Sequence, residues 1–275
     1  MRRVLFGLIL FLSCTNLFAK EFIVAVNERS IFRYIDENGY WQGQDIDLLK
    51  AIFRRTPHSF KIISMPWPRV LKSIESGVVD LTLAAAILPE REAYALFSKN
   101  VFRYSHYMLF AHKDKASLFD DIRKLDDIKN HDVVIGALRG AVYTDTYYRL
   151  LKDPEFVKRI ALIDDDQSLA TLTIKGRVDA YIESEIEGKH YLGAWQQYHE
   201  MIVPLFRIST PLEAQNNLMF SKQSVSQALV DEFDIALKDL HESGEYEAIS
   251  QKYLSIYTGS THEKGLINND GSSAP

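Results

Sequence analysis

The strongest constraint on this chain is a pattern that occurs twice. Short runs of β-branched and aliphatic residues alternate with amphipathic stretches of helical period, once over residues 22–83 and again over 133–182. Such alternation marks strand–helix–strand units with parallel strands. In the first run, residues 22–26 read as a strand. The spacing predicts a helix over 45–55, with Ile46, Leu49, Ile52 and Phe53 on one face. A strand at 60–64, a helix near 69–75 and a strand at 78–83 follow, with Gly77 suited to a left-handed helix cap. In the second run, strands at 133–136, 160–163 and 178–182 flank helices at 141–151 and 168–174, the latter capped by Gly176. Gly77-Val78-Val79-Asp80 and Gly176-Arg177-Val178-Asp179 hold equivalent places in the two runs. Two lobes of similar α/β build are expected.

The remaining segments suggest how the lobes connect. Residues 104–111 are apolar and strand-like, 217–220 form another short strand, and 225–254 carry two helical stretches. A chain that leaves its first lobe, builds a second and returns would cross a hinge twice. The expected division is therefore 20–110 with 216–257 as a discontinuous first lobe and 111–215 as the second. Residues 258–275, rich in Gly, Ser, Asn and Asp, are expected to be disordered.

Composition excludes several classes of function. A net charge of −5 and the absence of any Lys/Arg-rich run argue against a general nucleic-acid binder. The histidines are scattered, with no His-Glu-x-x-His, Gly-x-Ser-x-Gly or P-loop pattern. Asp164-Asp165-Asp166 lacks the spacing of a calcium loop and reads as the acidic start of a helix. No metal or cofactor is expected, and the chain is expected to be a monomer.

The N-terminus has the grammar of a secretory signal peptide over 1–19. Arg2 and Arg3 precede an apolar run from Val4 to Leu12, and Leu17-Phe18-Ala19 comes before charged Lys20 and Glu21. The apolar run is too short for a span of about 20 residues. The only cysteine, Cys14, lies inside this segment, so cleavage after Ala19 would leave no thiol. Phe11-Leu12-Ser13-Cys14 also resembles a lipobox, which leaves lipidation at Cys14 as the alternative to release into the periplasm.

Four motifs together resemble those of the extracellular solute-binding proteins of family 3, the polar-amino-acid-binding proteins of ABC transporters. They are Gly39-Tyr40-Trp41-Gln42-Gly43-Gln44-Asp45-Ile46-Asp47-Leu48; Trp67-Pro68-Arg69-Val70-Leu71 running to Gly77-Val78-Val79-Asp80; Leu88-Pro89-Glu90-Arg91 followed by Phe97-Ser98; and Gly244-x-Tyr246 leading to Ile249 and Lys252-Tyr253. They cover residues 22–257 in the family's order. The resemblance implies a type II periplasmic-binding fold of two α/β lobes and two hinge strands, closing on a ligand. It also implies the site. Arg91 would grip a ligand carboxylate with its planar fork of donors. Trp67 would supply an apolar wall, and Arg69 a second positive charge or a solvated helix residue. Gly140 and Ala141, with Arg139 beside them, would open a helix whose free N–H groups favour an anion.

Three positions depart from the family's pattern, the first being Ala141, where the family often has a Thr after the glycine and Thr144 follows only one turn later. Ala86 stands where the family has a Ser or Thr hydroxyl, a loss worth about 0.5–1.5 kcal/mol. Glu183-Ser184-Glu185 stands where an Asp is usual, Ser184 falling nearest; Glu183 or Glu185 would meet a ligand ammonium or simply favour a helix N-terminus.

Three functions remain open on the sequence. The first is capture of a small carboxylate-bearing ligand, an amino acid or relative, for an ABC permease. The second is a ligand sensor acting on a separate membrane receptor. The third is a cyclohexadienyl dehydratase, which shares the fold and would use Glu183 or Glu185 as acid with Arg69, Arg91 and Arg139 as clamps.

Overall fold

The computed structural model describes residues 19–29, 31–165, 167–194, 196–209 and 215–263. The signal segment expected over 1–19 lies almost wholly outside them. The first half contains β1 (Glu21–Val26), β2 (Tyr34–Ile35), β3 (Trp41–Gln42), α1 (Gln44–Phe53), β4 (Ser59–Ser64), α2 (Trp67–Ser76), β5 (Leu81–Ala85), α3 (Pro89–Glu92), β6 (Ala95–Phe97) and β7 (Arg103–Tyr104). There follow β8 (Tyr107–His112), β9 (Ile135–Leu138), α4 (Asp145–Leu150), α5 (Pro154–Val157), β10 (Ile160–Ile163), α6 (Gln167–Ile174), β11 (Ala180–Ser184), α7 (Glu185–Ala194), α8 (Gln196–Met201) and β12 (Ile202–Arg207). The chain then forms β13 (Gln215–Ser221), α9 (Gln227–Glu242) and α10 (Glu245–Glu263).

These strands make two main sheets of matching design. The first runs β4-β1-β5-β13-β6 and the second β10-β9-β11-β8-β12. In each, three strands are parallel and a fourth enters antiparallel: β13 beside β5, and β8 beside β11. Each antiparallel strand lies next to one of the two crossings. β7 pairs with the start of β13, Tyr104 opposite Gln215 and Arg103 opposite Asn216, so the two crossing strands touch at the hinge.

The matched Gly-x-x-Asp segments play the same part in both lobes. Gly77 and Gly176 sit at φ +75° and +69°, the left-handed geometry that ends a helix. Three residues on, Asp80 accepts the Ile23 N–H at 2.9 Å and the Lys20 ammonium at 2.7 Å. Asp179 accepts the Val134 N–H at 2.7 Å and pairs with Lys115. Each carboxylate thus satisfies a donor at the entrance of the central parallel strand, where no ladder partner reaches.

The last helices return to the first lobe. On α9 the residues Val230, Phe233, Leu237 and Leu240 are buried at helical spacing, and Phe233 packs edge-on to Phe22 and Phe53 at centroid distances of 5.0 Å. A separate core in the second lobe gathers Leu109, Ile135, Tyr147, Phe156 and Ile182.

Two expected boundaries shift. The first lobe does not extend to residue 110, because Leu109, Phe110 and Ala111 pair across β11 in the second sheet; the crossing falls at Ser105–His106. The tail expected to be disordered from 258 remains helical through Glu263. A helix already nucleated extends at little cost through residues of modest propensity. The rest of that tail lies outside the described residues.

Burial alone would raise the Asp80 carboxyl, but the Ile23 N–H, Lys20 and Ser224 outweigh it and hold it below the usual carboxylate range. Its contribution to stability is therefore complete above an unfolded value of about 3.9 and is lost as pH falls through the folded one. Asp80→Asn is expected to cost about 1–3 kcal/mol at neutral pH. Urea melts should show the deficit shrinking below about pH 4; a deficit independent of pH would contradict this account.

Candidate functional site

In open α/β sheets the C-terminal strand ends leave a crevice that side chains can line. Here the two sheets turn those ends toward one another. From the first lobe come Asn27 after β1, Trp67 after β4, and Ala84 and Ala86 at the end of β5; from the second come Leu138, Ala141, Val142 and Tyr143 after β9. Arg29, Arg33, Arg91, Arg103, Tyr107 and Asn216 complete the lining of a cavity of about 40 Å³. A single water needs roughly 10–15 Å³ of such space, so the closed cavity is small. Larger spaces flank it. One of about 290 Å³ shares Asn27 and Trp67, and one of about 160 Å³ shares Ala86, Val142, Tyr143 and Asn216.

Trp67 and Arg91 pinch this cleft against the second lobe. Trp67 begins α2, whose buried residues Trp67, Val70 and Ile74 recur at helical spacing. The Trp67 indole N–H donates to the Gly140 carbonyl at 3.1 Å. Arg91, on α3, donates from Nη2 to the same carbonyl at 2.6 Å and from Nη1 to the Ala86 carbonyl at 2.9 Å. Its guanidinium lies 5.7 Å from the Trp67 ring. Arg91 is 4% exposed, and no carboxylate pairs with it among the described residues. Burial pushes its pKa down.

Three more arginines surround the cavity in different states. Arg33 is fully engaged: Nε and Nη2 donate to Asn27 at 2.7 Å each, and Nη1 to Asp45 at 2.5 Å. Arg103 stacks over Phe32, 3.6 Å from the ring centroid, and its Nε lies 2.9 Å from Asp45 Oδ1. That approach is out of line for a hydrogen bond, and Arg103 Nε and Nη1 are buried without a hydrogen-bond partner. Arg29 crosses between the lobes. Its Nε donates to Glu187 at 2.7 Å, and its Nη2 contacts both Glu183 and Glu187.

Of the residues expected at a site, Arg91, Trp67, Ala86 and Ala141 line the cavity, and Gly140 closes onto it. The position that lacks a hydroxyl, Ala86, offers its backbone carbonyl to Arg91 instead. Other expectations are corrected. Arg69 lies on the exposed face of α2, two residues from Trp67 and so nearly opposite it around the helix. No helix opens at Gly140: α4 starts at Asp145, with Thr144 as its N-cap accepting the Tyr147 N–H at 2.9 Å. Gly140 therefore presents its carbonyl, not a row of N–H groups. Arg139 is half exposed and pairs with Asp164. Ser184 is buried off the cavity, where its hydroxyl accepts the Glu187 N–H at 3.2 Å. Glu183 is held by Arg29 and by the Ser184 N–H at 2.6 Å, and Glu185 by Lys189 and Arg207.

Sequence reasoning did not find Arg29, Arg33, Arg103 or Asn216. A usable signal existed for the first: Asn27-Glu28-Arg29 follows the first strand at its C-terminal end, where such crevices form. Arg103 and Asn216 meet only because the two hinge strands pair.

Two α/β lobes with open sheets and a cleft between their strand ends define a type II periplasmic-binding fold. The chain belongs to the bacterial extracellular solute-binding proteins, family 3, whose family model matches residues 22–256. It is 26% identical over 239 residues to the L-cystine-binding protein TcyJ of Bacillus subtilis (strain 168), covering 84% of this chain and 82% of that one. It is 26% identical over 248 residues to the arginine-binding periplasmic protein of Mannheimia haemolytica, covering 86% and 92%. Among solved structures, an ancestral arginine-binding protein bound to arginine aligns with a TM-score of 0.70 at 22% identity, over 85% of this chain and 97% of that one.

Gly140 adopts φ +77°, and a Cβ there would approach Leu71 to 3.0 Å across the cleft. Gly140→Ala is expected to cost about 1–2 kcal/mol through its left-handed backbone. The crowding at Leu71 adds a penalty present only when the lobes are shut. Small-angle scattering of the variant should report a wider average particle than the wild type; identical profiles would exclude a role for Gly140 in closure.

Proposed function

We propose that this protein captures a small carboxylate-bearing molecule in the inter-lobe cleft, in the periplasm, and delivers it to an ABC importer. The observation that carries the reading is Arg91: a buried guanidinium at the lobe junction, bonded to two carbonyl dipoles and to no carboxylate. A carboxylate would take parallel donors from that fork, in a setting where water screens little. Its arrival would replace the weaker contact with Gly140 and connect both lobes through the ligand. Bound ligand then favours the shut state by its differential affinity, and a membrane partner reads the closure.

Family membership supports transport, since the family's curated relatives are named for the amino acids they bind. Among the described residues no helix is long and apolar enough to cross a membrane. Dehydratase chemistry finds less support. It needs a proton donor beside a leaving hydroxyl. Glu183 and Glu185 are absent from the cavity lining and held in ion pairs. Burial would raise the Glu185 carboxyl, but Lys189 and Arg207 outweigh it and keep it ionised.

A thermal-shift screen of amino acids, other carboxylates and aromatic metabolites tests the proposal. At least one carboxylate should stabilise the wild type, by about 2.7 kcal/mol at 100 times its Kd. Arg91→Ala should abolish that shift. A shift unchanged in the variant would take Arg91 out of the recognition site.

A further inference from the structure

The charge around the cavity is one-sided. Among the described residues its lining holds four arginines and no Asp, Glu, Lys or His. Of the acidic side chains near those arginines, Asp45, Glu183 and Glu187 sit behind the lining and pair with guanidinium groups, while Glu90 lies near Arg91 and accepts the Tyr148 hydroxyl at 2.6 Å. Asp45 is shared between Arg33 and Arg103. Glu183 and Glu187 are both taken by Arg29. Arg91 makes no ion pair among the described residues, and Glu90 acts on it only at longer range.

The open donors fall on two of the four arginines. Arg91 spends two of its five N–H groups, on backbone carbonyls. Arg103 Nε and Nη1 make no hydrogen bond, although Arg103 is 4% exposed and borders the cavity. A buried donor without a partner costs free energy that an anion at that point would recover. Between the charged groups lie Trp67, Leu138 and Val142, an apolar wall suited to a carbon skeleton.

We infer that the ligand is a short organic dianion without an amino group, a dicarboxylate whose two ends meet Arg91 and Arg103, and that Arg29 is the residue that excludes amines. The inference rests on the cleft reading above and narrows its ligand. A ligand ammonium needs carboxylate acceptors, and here it would face guanidinium charge on several sides. To reach Glu183 or Glu187 it would have to displace Arg29, stranding a cation in a buried setting. Arg29 thus occupies, from within the chain, the charge slot an amino group would otherwise fill.

Calorimetry on the mature protein tests this with matched pairs that differ only in the amino group: glutarate against L-glutamate, and succinate against L-aspartate. L-arginine and inorganic phosphate complete the set. At least one dicarboxylate should bind about 10-fold or more tighter than its amino counterpart, a gap of about 1.4 kcal/mol. Arg103→Gln should weaken the dicarboxylate about 10-fold or more, while Arg29→Ala should narrow the preference by uncovering Glu183 and Glu187. The wild-type comparison stands even if either variant fails to fold. Amino acids binding tighter than their partners, with binding still lost in Arg91→Ala, would overturn the dianion inference and leave the cleft site intact. Glutarate binding that persists in Arg91→Ala would overturn the cleft site itself. Phosphate binding tighter than both dicarboxylates, or no binding by any probe, would also overturn the inference.

Discussion

A guanidinium removed from water and paired with no carboxylate among the described residues is the feature on which the cleft depends. Full desolvation of such a group costs several kcal/mol, and two carbonyl dipoles offset only part of it. Arg91 is therefore the point in the described cavity where an added negative charge gains most. The same group also joins the lobes, because one of its two acceptors, the Gly140 carbonyl, belongs to the other half of the molecule. On the proposed function, one side chain would couple recognition to closure. The Trp67 indole, donating to the same oxygen, adds a flat apolar face at that junction.

The scaffold that holds Arg91 is built twice from one recipe. Each lobe places three parallel strands beside an antiparallel strand that adjoins a crossing. In both, a glycine ends a helix with positive φ and an aspartate three residues later seals the entrance of the central strand. With the strand entrances secured at the far edges, the strand exits face each other. The residues just beyond those exits supply most of the cavity wall. One strand exit is itself unusual: Ala84 adopts φ +53°, a conformation costing an L-residue about 1–2 kcal/mol, at the turn that points the Ala86 carbonyl toward Arg91.

Strands were legible where β-branched and aliphatic residues cluster between turn signals, whether the strand is mostly buried or only half buried. That covers β1, β4, β9, β10 and β11 to within two or three residues. β6 and β12 were not, since each is defined by antiparallel pairing with a strand distant in sequence. The helix expected at 141 begins four residues later. Apolar periodicity at Ala141, Val142 and Tyr143 reflects packing against the cleft, and Thr144 supplies the true start by capping. Motif resemblance led to Trp67, Ala86, Arg91 and Ala141, four residues that line the cavity. It gave no hold on Arg33, Arg103 and Asp45, whose interdependence comes from two guanidinium groups meeting one buried carboxylate.

The two-lobed plan, the parallel strands and the capping glycines follow from local pattern, because period and turn geometry are properties of short segments; Arg91 at the junction came from the motifs that resemble the family's. Which charges remain open in the cleft does not follow from local pattern. Arg29 lies 154 residues from Glu183, and Arg103 lies 58 from Asp45, so no window of sequence reveals that the first is neutralised and the second left with donors to spare. Long-range packing made that choice. In a cavity of low polarisability, the sum over such pairs sets the sign of the guest.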